Sequence, residues 1–327
     1  MKKSLVALAV LAASGAAMAQ VSITGNLTAG FQSSTDASNN TASGLGVDNA
    51  QIVFSATEDL GGGLKASAKL GLADVARGTV SGRTFGPGDT ELAISGGFGK
   101  LALSTTREVD YLSGGVAGFG GTYMHGRVFD NRITRDSVSY SVPVGPVSVG
   151  LTYSEAPSLL GLGTGTSGNT LLANDQVFGS RQVGLNVRYS DEKKVIDFGI
   201  LSNEADATKS DDGHVRFSTA YDHGFAKLGF AFENQSYKAI GTGQKTSKRD
   251  AMVALSVPVG AATLSGNWAQ REWSNNPATD GTQIGYGLKA SYALSKRTAV
   301  STDYTNWNGA VNANKQSQYN LLLSHSF

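Results

Sequence analysis

Charged side chains of both signs gather in one glycine-rich stretch of the chain, between residues 107 and 132. Carboxylates and guanidinium groups together can attract or repel passing ions, most strongly where low-dielectric walls confine the surrounding water. Two interpretations stay open: an exposed loop with solvated charges, or the lining of a narrow aqueous passage. The six candidate residues are Arg107, Glu108, Asp110, Arg127, Asp130 and Arg132.

Catalytic chemistry has little support in the pattern of histidines. No pair of them, with a neighbouring carboxylate or hydroxyl, has the spacing of a metal site or a hydrolytic triad. Two glycine-rich stretches, 161–170 and 241–250, look like phosphate loops but lack the full pattern between a strand and a helix. We therefore predict no catalytic residue, no cofactor and no metal site. The four histidines are His125, His214, His223 and His325.

The N-terminus has the features of a secretory signal peptide. Lys2 and Lys3 precede a short apolar run, and the small-residue triplet 17–19 follows it. The apolar run is shorter than the roughly 20 residues that a membrane-spanning helix needs. We predict a signal peptide at residues 1–19 and a single domain at residues 20–327.

Charge and cysteine content narrow the possible partners. Loss of Lys2 and Lys3 with the signal peptide lowers the net charge from +1 to −1. A nucleic-acid-binding chain would need a marked basic excess, so we expect no nucleic-acid partner. The chain has no cysteine, so its stability outside the cytoplasm must depend on hydrogen bonding and packing.

From Gln20 onward the hydrophobic pattern repeats every two residues, which is typical of β-strands with one apolar face. The first such segment alternates apolar Val21, Ile23 and Leu27 with polar neighbours. Similar segments recur to the end of the chain, and a helical period is not evident over any dozen residues. The pattern predicts an all-β fold.

The connections alternate between short turns and longer polar segments. Seven tight turns lie at about 58–64, 96–100, 143–146, 190–194, 222–224, 258–261 and 294–297. Eight longer loops lie at about 32–47, 74–88, 107–132, 156–179, 203–212, 235–248, 272–281 and 308–316. Fifteen connections join sixteen strands in an antiparallel up-and-down meander, with the long loops expected on the outer face of the membrane.

A closed barrel in a membrane is the fold that best explains this meander. Closure removes the two unpaired edges that an open sheet would expose. An apolar outward face then requires lipid, and a polar inward face requires water. The last strand, ending at Phe327, must pair with the first to close the barrel, and sixteen strands leave an open lumen. On the inward face, Arg188, Arg216, Arg271 and Lys289 are expected to be ordinary solvated wall residues.

Three stretches resemble the sixteen-stranded, trimeric general porins of Gram-negative outer membranes. They are "FSATEDLGGGLKASAKL" at 54–70, "LAISGGFGKLALSTTRE" at 92–108 and "RITRDSVSYSVPVGPVSVGLTYS" at 132–154. The resemblance implies that the third loop, 107–132, folds into the lumen and constricts it. It also implies that the loop at 74–88 latches onto a neighbouring subunit, and that Phe327 is a signal to the barrel assembly machinery.

The resemblance adds wall residues opposite the loop. Lys65, Lys69 and Glu91 have the parity of lumen-facing positions and complete the predicted constriction. The chain departs from the family where wall arginines are expected, because those positions hold Gln51, Gly88 and Thr105. We therefore expect weak ion selectivity with a slight preference for anions.

Together these features predict a porin of the cell outer membrane, a homotrimer that contacts membrane lipids and lipopolysaccharide. Its expected function is passive diffusion of ions and small hydrophilic solutes through a water-filled channel. A solute-specific channel is the main alternative. An outer-membrane barrel enzyme or an adhesin with a plugged lumen has less support.

Overall fold

The structure of the protein, a computed structural model, describes residues 20–73, 86–112, 118–119, 121–155, 181–204, 209–239, 242–275, 280–309 and 313–327. The predicted signal peptide, the loop residues 74–85 and the loop residues 156–180 lie outside the described residues. No helix in these described ranges is long and apolar enough to cross a bilayer.

Sixteen strands make up the fold. Their bounds are β1 Gln20–Thr35, β2 Thr41–Gly61, β3 Leu64–Ala73, β4 Gly86–Gly96, β5 Gly99–Arg107, β6 Thr134–Val144, β7 Val147–Glu155, β8 Arg181–Ser190, β9 Lys194–Asn203, β10 Lys209–Asp222, β11 Lys227–Ala239, β12 Lys245–Val259, β13 Ala262–Ser274, β14 Gly281–Ala293, β15 Thr298–Asn308 and β16 Lys315–Ser326. The shortest strands have 9 residues, about the length that spans a bilayer when tilted.

Each strand pairs antiparallel with its neighbours in sequence, and β1 pairs with β16, so the sheet closes into a barrel. The closing register places Phe31 opposite Leu321 and Thr35 opposite Ser317. Beyond the end of β16, the backbone N–H of Phe327 donates to the carbonyl of Gly25, and the N–H of Gly25 donates back, both at 3.0 Å. The prediction that the last residues close the barrel against the first strand is confirmed.

The two faces of the sheet differ as the alternation predicts. Outward-facing Val21 and Ile23 on β1 and Leu321 and Leu323 on β16 expose about half or more of their surface. Such a broad apolar exterior requires lipid as its solvent. Inward-facing side chains on β10–β13 are instead polar or small, and many of them are buried.

All seven predicted tight turns occur, at one end of the barrel. In the turn between β2 and β3, Gly62 and Gly63 have positive φ values of 63° and 80°, which glycine adopts without strain.

Five of the eight loops predicted at the opposite end are shorter than expected. Strand pairing runs far enough that the connections 36–40, 204–208, 240–244, 275–280 and 309–314 contain five or six residues each. Near these ends of the strands both faces carry polar residues, as at the start of β12, where residues 245–250 read KTSKRD. The two-residue hydrophobic pattern therefore ends before the strand does, and for this reason the predicted loops were too long.

Candidate pore constriction

Residues 108–133, here called loop 3, connect β5 to β6, and those of them that the structure describes fold into the barrel as predicted. Near its start, the Tyr111 hydroxyl bonds to Asn186 of β8. Farther along, Arg127 donates to Thr305 of β15 at 3.2 Å and to Gln318 of β16 at 2.8 Å. The described parts of loop 3 thus reach the inner wall at β8 and at β15 and β16.

An apolar cluster holds loop 3 against this wall. Met124, Val128 and Phe129 of the loop are almost fully buried. They pack in one cluster with small or flexible inward-facing residues of β11–β13. Side chains on the lumen face would otherwise meet water, so a water-excluded patch here marks the seat of the loop. The wall residues are Ala231, Met252, Ala254 and Ala269.

Glycines on β14 allow the loop backbone to come close. A Cβ added at Gly287 would lie 1.6 Å from Thr122 Oγ1, and one added at Gly285 would lie 2.6 Å from Val128 Cγ2. Thr122 is fixed further by Asn267 of β13, whose amide nitrogen donates to the Thr122 carbonyl at 2.6 Å. No side chain larger than hydrogen fits at Gly287 without displacing loop 3.

The far end of loop 3 is tied to the wall by ion pairs. Asp130 accepts from Lys248 Nζ and from Arg271 Nη1, both at 2.6 Å. Arg271 also binds both oxygens of Asp250, at 2.7 and 2.8 Å, which makes a bidentate pair. Burial opposes ionisation of Asp130, but Lys248 and Arg271 outweigh it and hold the pKa of Asp130 below its usual range.

The two ends of loop 3 are joined to each other through Asp110. His125 Nε2 lies 3.0 Å from Asp110 Oδ1, and Arg132 Nε lies 3.6 Å from Asp110 Oδ2. His125 Nδ1 lies 2.7 Å from the carbonyl of Asp130. Burial raises the pKa of Asp110, but the hydrogen bond from His125 and the charges of His125 and Arg132 bring it below its usual range.

Glu108 and Tyr111 attach the start of loop 3 to the wall. Glu108 accepts from Arg135 Nε of β6 at 2.6 Å. The guanidinium of Arg216 lies 5.2 Å from the centroid of the Tyr111 ring. Burial, with the negative charge of Asp197 nearby, raises the pKa of Tyr111 to about 12, so this phenol stays protonated.

Two arginines expected to be solvated are instead buried beneath loop 3. Arg216 and Arg271 are only 8% and 4% exposed. Arg216 Nε lies 3.1 Å from Glu233 of β11, and Glu233 also contacts His214. The expectation of ordinary solvated wall residues was wrong for both, because loop 3 covers this part of the wall. Arg188, at 46% side-chain exposure, does remain accessible.

The opposite wall keeps its charges in contact with water. Lys65 and Lys69 on β3 are exposed. Glu91 on β4 lies directly opposite Lys69 in the register, and its carboxylate pairs with Lys100 Nζ at 2.6 Å. The predicted wall residues therefore lie across from the seat of loop 3.

Arg107 does not join the other candidates. It ends β5 on the same side of the strand as the exposed Leu101 and Leu103, and it lies opposite Thr134. By this parity Arg107 and Thr105 point away from the lumen. Thr105 therefore does not occupy a lumen-facing position at which a wall arginine is missing.

Several charged residues of the site were missed by the sequence analysis. Arg135, Lys248, Glu233 and Asp250 face inward and bind loop 3 or its partners. Their inward parity was visible in the sequence, but their pairing partners were not. Within the described ranges, no group of three or more His, Cys, Asp or Glu residues could hold a metal ion.

Comparison with known sequences places these features in one family. The family model described as Gram-negative porin matches residues 4–316. Outer membrane porin protein 32 of Delftia acidovorans is 30% identical over an alignment that covers 100% of this chain and 86% of that protein. Major outer membrane protein P.IB of Neisseria meningitidis serogroup B is 36% identical over 117 residues, covering 33% of this chain and 35% of that protein.

Comparison with solved structures gives the same fold. The anion-selective porin from Comamonas acidovorans superposes with a TM-score of 0.71 at 20% identity, covering 95% of this chain and 100% of that one. The trimer form of OmpT, an outer membrane protein of Vibrio cholerae, superposes with a TM-score of 0.68 at 14% identity, covering 94% and 99%. The chain belongs to the Gram-negative porin family, and it is an outer-membrane channel for passive diffusion of ions and small hydrophilic solutes.

Proposed function

We propose that loop 3 forms the narrowest part of the channel and that the passage runs between this loop and the wall at β3 and β4. One observation carries the proposal: inward-facing charges on β10–β13 are buried, whereas Lys65 and Lys69 on β3 are exposed. An aqueous path must follow the accessible wall. Solutes are then sorted by size at loop 3 and by the charges that face it.

The accessible charges favour anions slightly. On this wall and the adjoining strands, Lys65, Lys69 and Lys100 outnumber the carboxylates of Glu91 and of Asp59, which lies opposite Lys65 in the register. Arg132 and Asp110 of loop 3 offset each other as an ion pair. The similar structure from Comamonas acidovorans is an anion-selective porin, which agrees with this sign. Because these charges are accessible to salt, the preference should fade as ionic strength rises.

Lys69→Glu tests this selectivity. The substitution changes the charge beside Glu91 by two units, so the anion-to-cation permeability ratio should fall roughly two- to fivefold at low salt. The zero-current potential of a planar bilayer in a salt gradient measures this ratio. Lys296→Glu makes the same change in the exposed turn between β14 and β15 and is the control. Equal shifts for both variants would rule out the β3 wall as the filter.

Acid should release loop 3 from the wall only at pH values below those at which free aspartates titrate. The pKa values of Asp110 and Asp130 are both lowered, so their ion pairs stabilise the docked loop above about pH 4. That stabilisation is lost as the pH falls through the lower folded values. Proteoliposome swelling in sugars of increasing size should show a constant exclusion limit from pH 7 to about 4. A size exclusion limit that increases already at about pH 6 would show that Asp110 and Asp130 do not anchor loop 3 in this way.

We also propose that the barrel works as a homotrimer in contact with lipids and lipopolysaccharide. The broad apolar exterior and the trimer form recorded for the similar OmpT structure support this assembly. Deleting residues 75–85, which include Val75 and Phe85, should lower the melting temperature of an SDS-resistant trimer while single barrels stay folded. An unchanged trimer melting temperature would remove the predicted latch.

Two further expectations complete the proposal. Residues 1–19 act as a cleaved signal peptide, and Phe327 acts as the signal that the barrel assembly machinery reads. Transport needs no chemical step and no cofactor. In support, the ring nitrogens of His125 are engaged by loop 3 itself, which leaves this histidine no free nitrogen for catalysis.

A further inference from the structure

A cavity of about 510 Å³, here called the side cavity, opens between the two ends of loop 3 and the wall. Its lining comes from loop 3, from β6 and from the ends of β8–β13 nearest the longer connections. It therefore lies beside the proposed passage along β3 and β4. A volume of this size is in the range of small-ligand pockets.

Buried polar atoms without partners concentrate in the side cavity. In the part of the chain that the structure describes, five buried side-chain atoms have no hydrogen-bond partner, and four belong to its lining: Asp110 Oδ2, Arg132 Nε, Arg135 Nη1 and His214 Nδ1. The first two lie 3.6 Å apart and form an ion pair with each other. Arg135 and His214, 5% and 4% exposed, keep an unused atom each. Unpaired buried groups are costly, so they point to a partner that the chain does not supply.

The two unused atoms have opposite hydrogen-bonding roles. Arg135 Nη1 can only donate. His214 Nε2 contacts the Glu233 carboxylate, which only accepts, so the proton of a neutral ring lies on Nε2. Arg216 Nε lies 3.1 Å from both groups and donates to the carboxylate, the charged acceptor. His214 Nδ1 is left as an acceptor.

Apart from its two histidines, the formal charges around the side cavity cancel. Its lining holds five cationic residues, Arg132, Arg135, Arg216, Lys248 and Arg271, and five anionic ones, Glu108, Asp110, Asp130, Glu233 and Asp250. A simple anion or cation gains little net attraction there. A molecule with one charge of each sign can match both kinds of group at once.

We propose that the side cavity binds small zwitterionic solutes of the free amino acid class. The solute carboxylate accepts from Arg135 Nη1, and its ammonium group donates to His214 Nδ1. Tyr111, Phe129 and Trp273 of the lining offer apolar surface to a solute side chain. Bound solute would lie beside the passage, at the end of the barrel that carries the longer connections.

A solute panel on the purified wild-type barrel tests the charge requirement. Trp273 lines the side cavity, so its fluorescence should respond to occupancy, and Trp273→Phe should abolish that response. Serine should give a saturable change, whereas N-acetylserine, serine methyl ester and glycerol should not at the same concentration. Equal saturation by N-acetylserine would show a simple anion site and overturn the proposal. No saturation by any solute would mean that water alone fills the cavity, which also overturns it.

Two variants test the assigned atoms. Arg135→Gln should weaken serine binding roughly tenfold, because a charge-assisted hydrogen bond is lost. His214→Phe keeps a flat ring but removes the Nδ1 acceptor, and it should weaken serine similarly, while Glu233 keeps its hydrogen bond from Arg216. Arg188→Gln, a lumen arginine paired with Asp197 outside the cavity, is the matched control and should bind serine normally. Equal binding by all three variants would overturn the assignment, and the wild-type panel decides the matter if a variant fails to fold. The readout is independent of ion selectivity.

Discussion

Deleting Phe327 should strongly reduce the yield of folded barrel. The deletion removes both backbone hydrogen bonds that join Phe327 to Gly25, each 3.0 Å long, at the seam between β1 and β16. Two such bonds contribute about 1–3 kcal/mol together. It also removes the ring that lies over Gly25, where an added Cβ would approach Phe327 Cζ to 2.5 Å. Yield is measured as the heat-modifiable band on a gel, both in cells and after refolding into detergent.

Comparison with Phe327→Ala separates the seam from the proposed assembly signal. This variant keeps the backbone bonds, and its half-exposed ring contributes only about 1 kcal/mol, so refolding in detergent should be nearly normal. In cells its yield should fall as far as that of the deletion, because the signal is gone. Leu323→Ala is the control, since Leu323 lies on the same face with the same 51% exposure. Equal yields in cells for Phe327→Ala and Leu323→Ala would remove the role of Phe327 as a signal.

The seam can also be tested from its other side. A Cβ at Gly25 would lie 2.6 Å from the backbone carbonyl oxygen of Gln51 as well as against the Phe327 ring. The backbone atom cannot move aside cheaply, so Gly25→Ala should impair refolding in detergent more than Phe327→Ala does. Normal refolding of Gly25→Ala would show that the seam tolerates displacement of its last residue.

The strands were predictable because each residue faces one of two different solvents. Outward-facing Tyr319 and Leu321 meet lipid, whereas Asn320 between them faces inward, so every second residue is apolar. The alternation of apolar and polar residues ends where the strands extend beyond the lipid. The start of β2 is paired in the sheet although glycine, alanine and short polar residues weaken its apolar alternation, which is why the connection 36–40 was predicted as a long loop.

The position of loop 3 inside the barrel left a trace in the sequence that alternation alone did not explain. Inward positions of β11–β14 hold Ala231, Met252, Ala269 and Gly287 where a wet lumen would favour polar side chains. These residues make room for the loop and form its apolar seat. The ion pairs could not be predicted in the same way, because Asp130 and Arg271 are distant in sequence and meet only through the path of the loop.

Arg271→Met should destabilise the barrel by about 3–5 kcal/mol, because it leaves Asp250 buried without its bidentate partner. The Asp250 side chain is only 3% exposed, so water cannot replace the lost contacts. Asp130 also loses one of its two anchors and keeps Lys248. Thermal unfolding in detergent measures the stability, and excess noise in the single-channel current reports the loosened end of loop 3.

Two matched variants show whether burial of the charge causes this loss. Arg249→Met makes the same substitution at a neighbouring strand position, where Arg249 and Glu272 are 53% and 44% exposed and 3.8 Å apart. An exposed pair of this kind contributes about 0–1 kcal/mol, so this variant should be nearly as stable as the wild type. Adding Asp250→Leu to Arg271→Met removes the unpaired charge and should restore most of the stability, since apolar replacement of a whole buried pair is often neutral. The current noise should persist in that double variant, because Asp130 still lacks Arg271. If Arg271→Met proves no less stable than Arg249→Met, Asp250 does not depend on this arginine, and the ionic seat of loop 3 is not the one described.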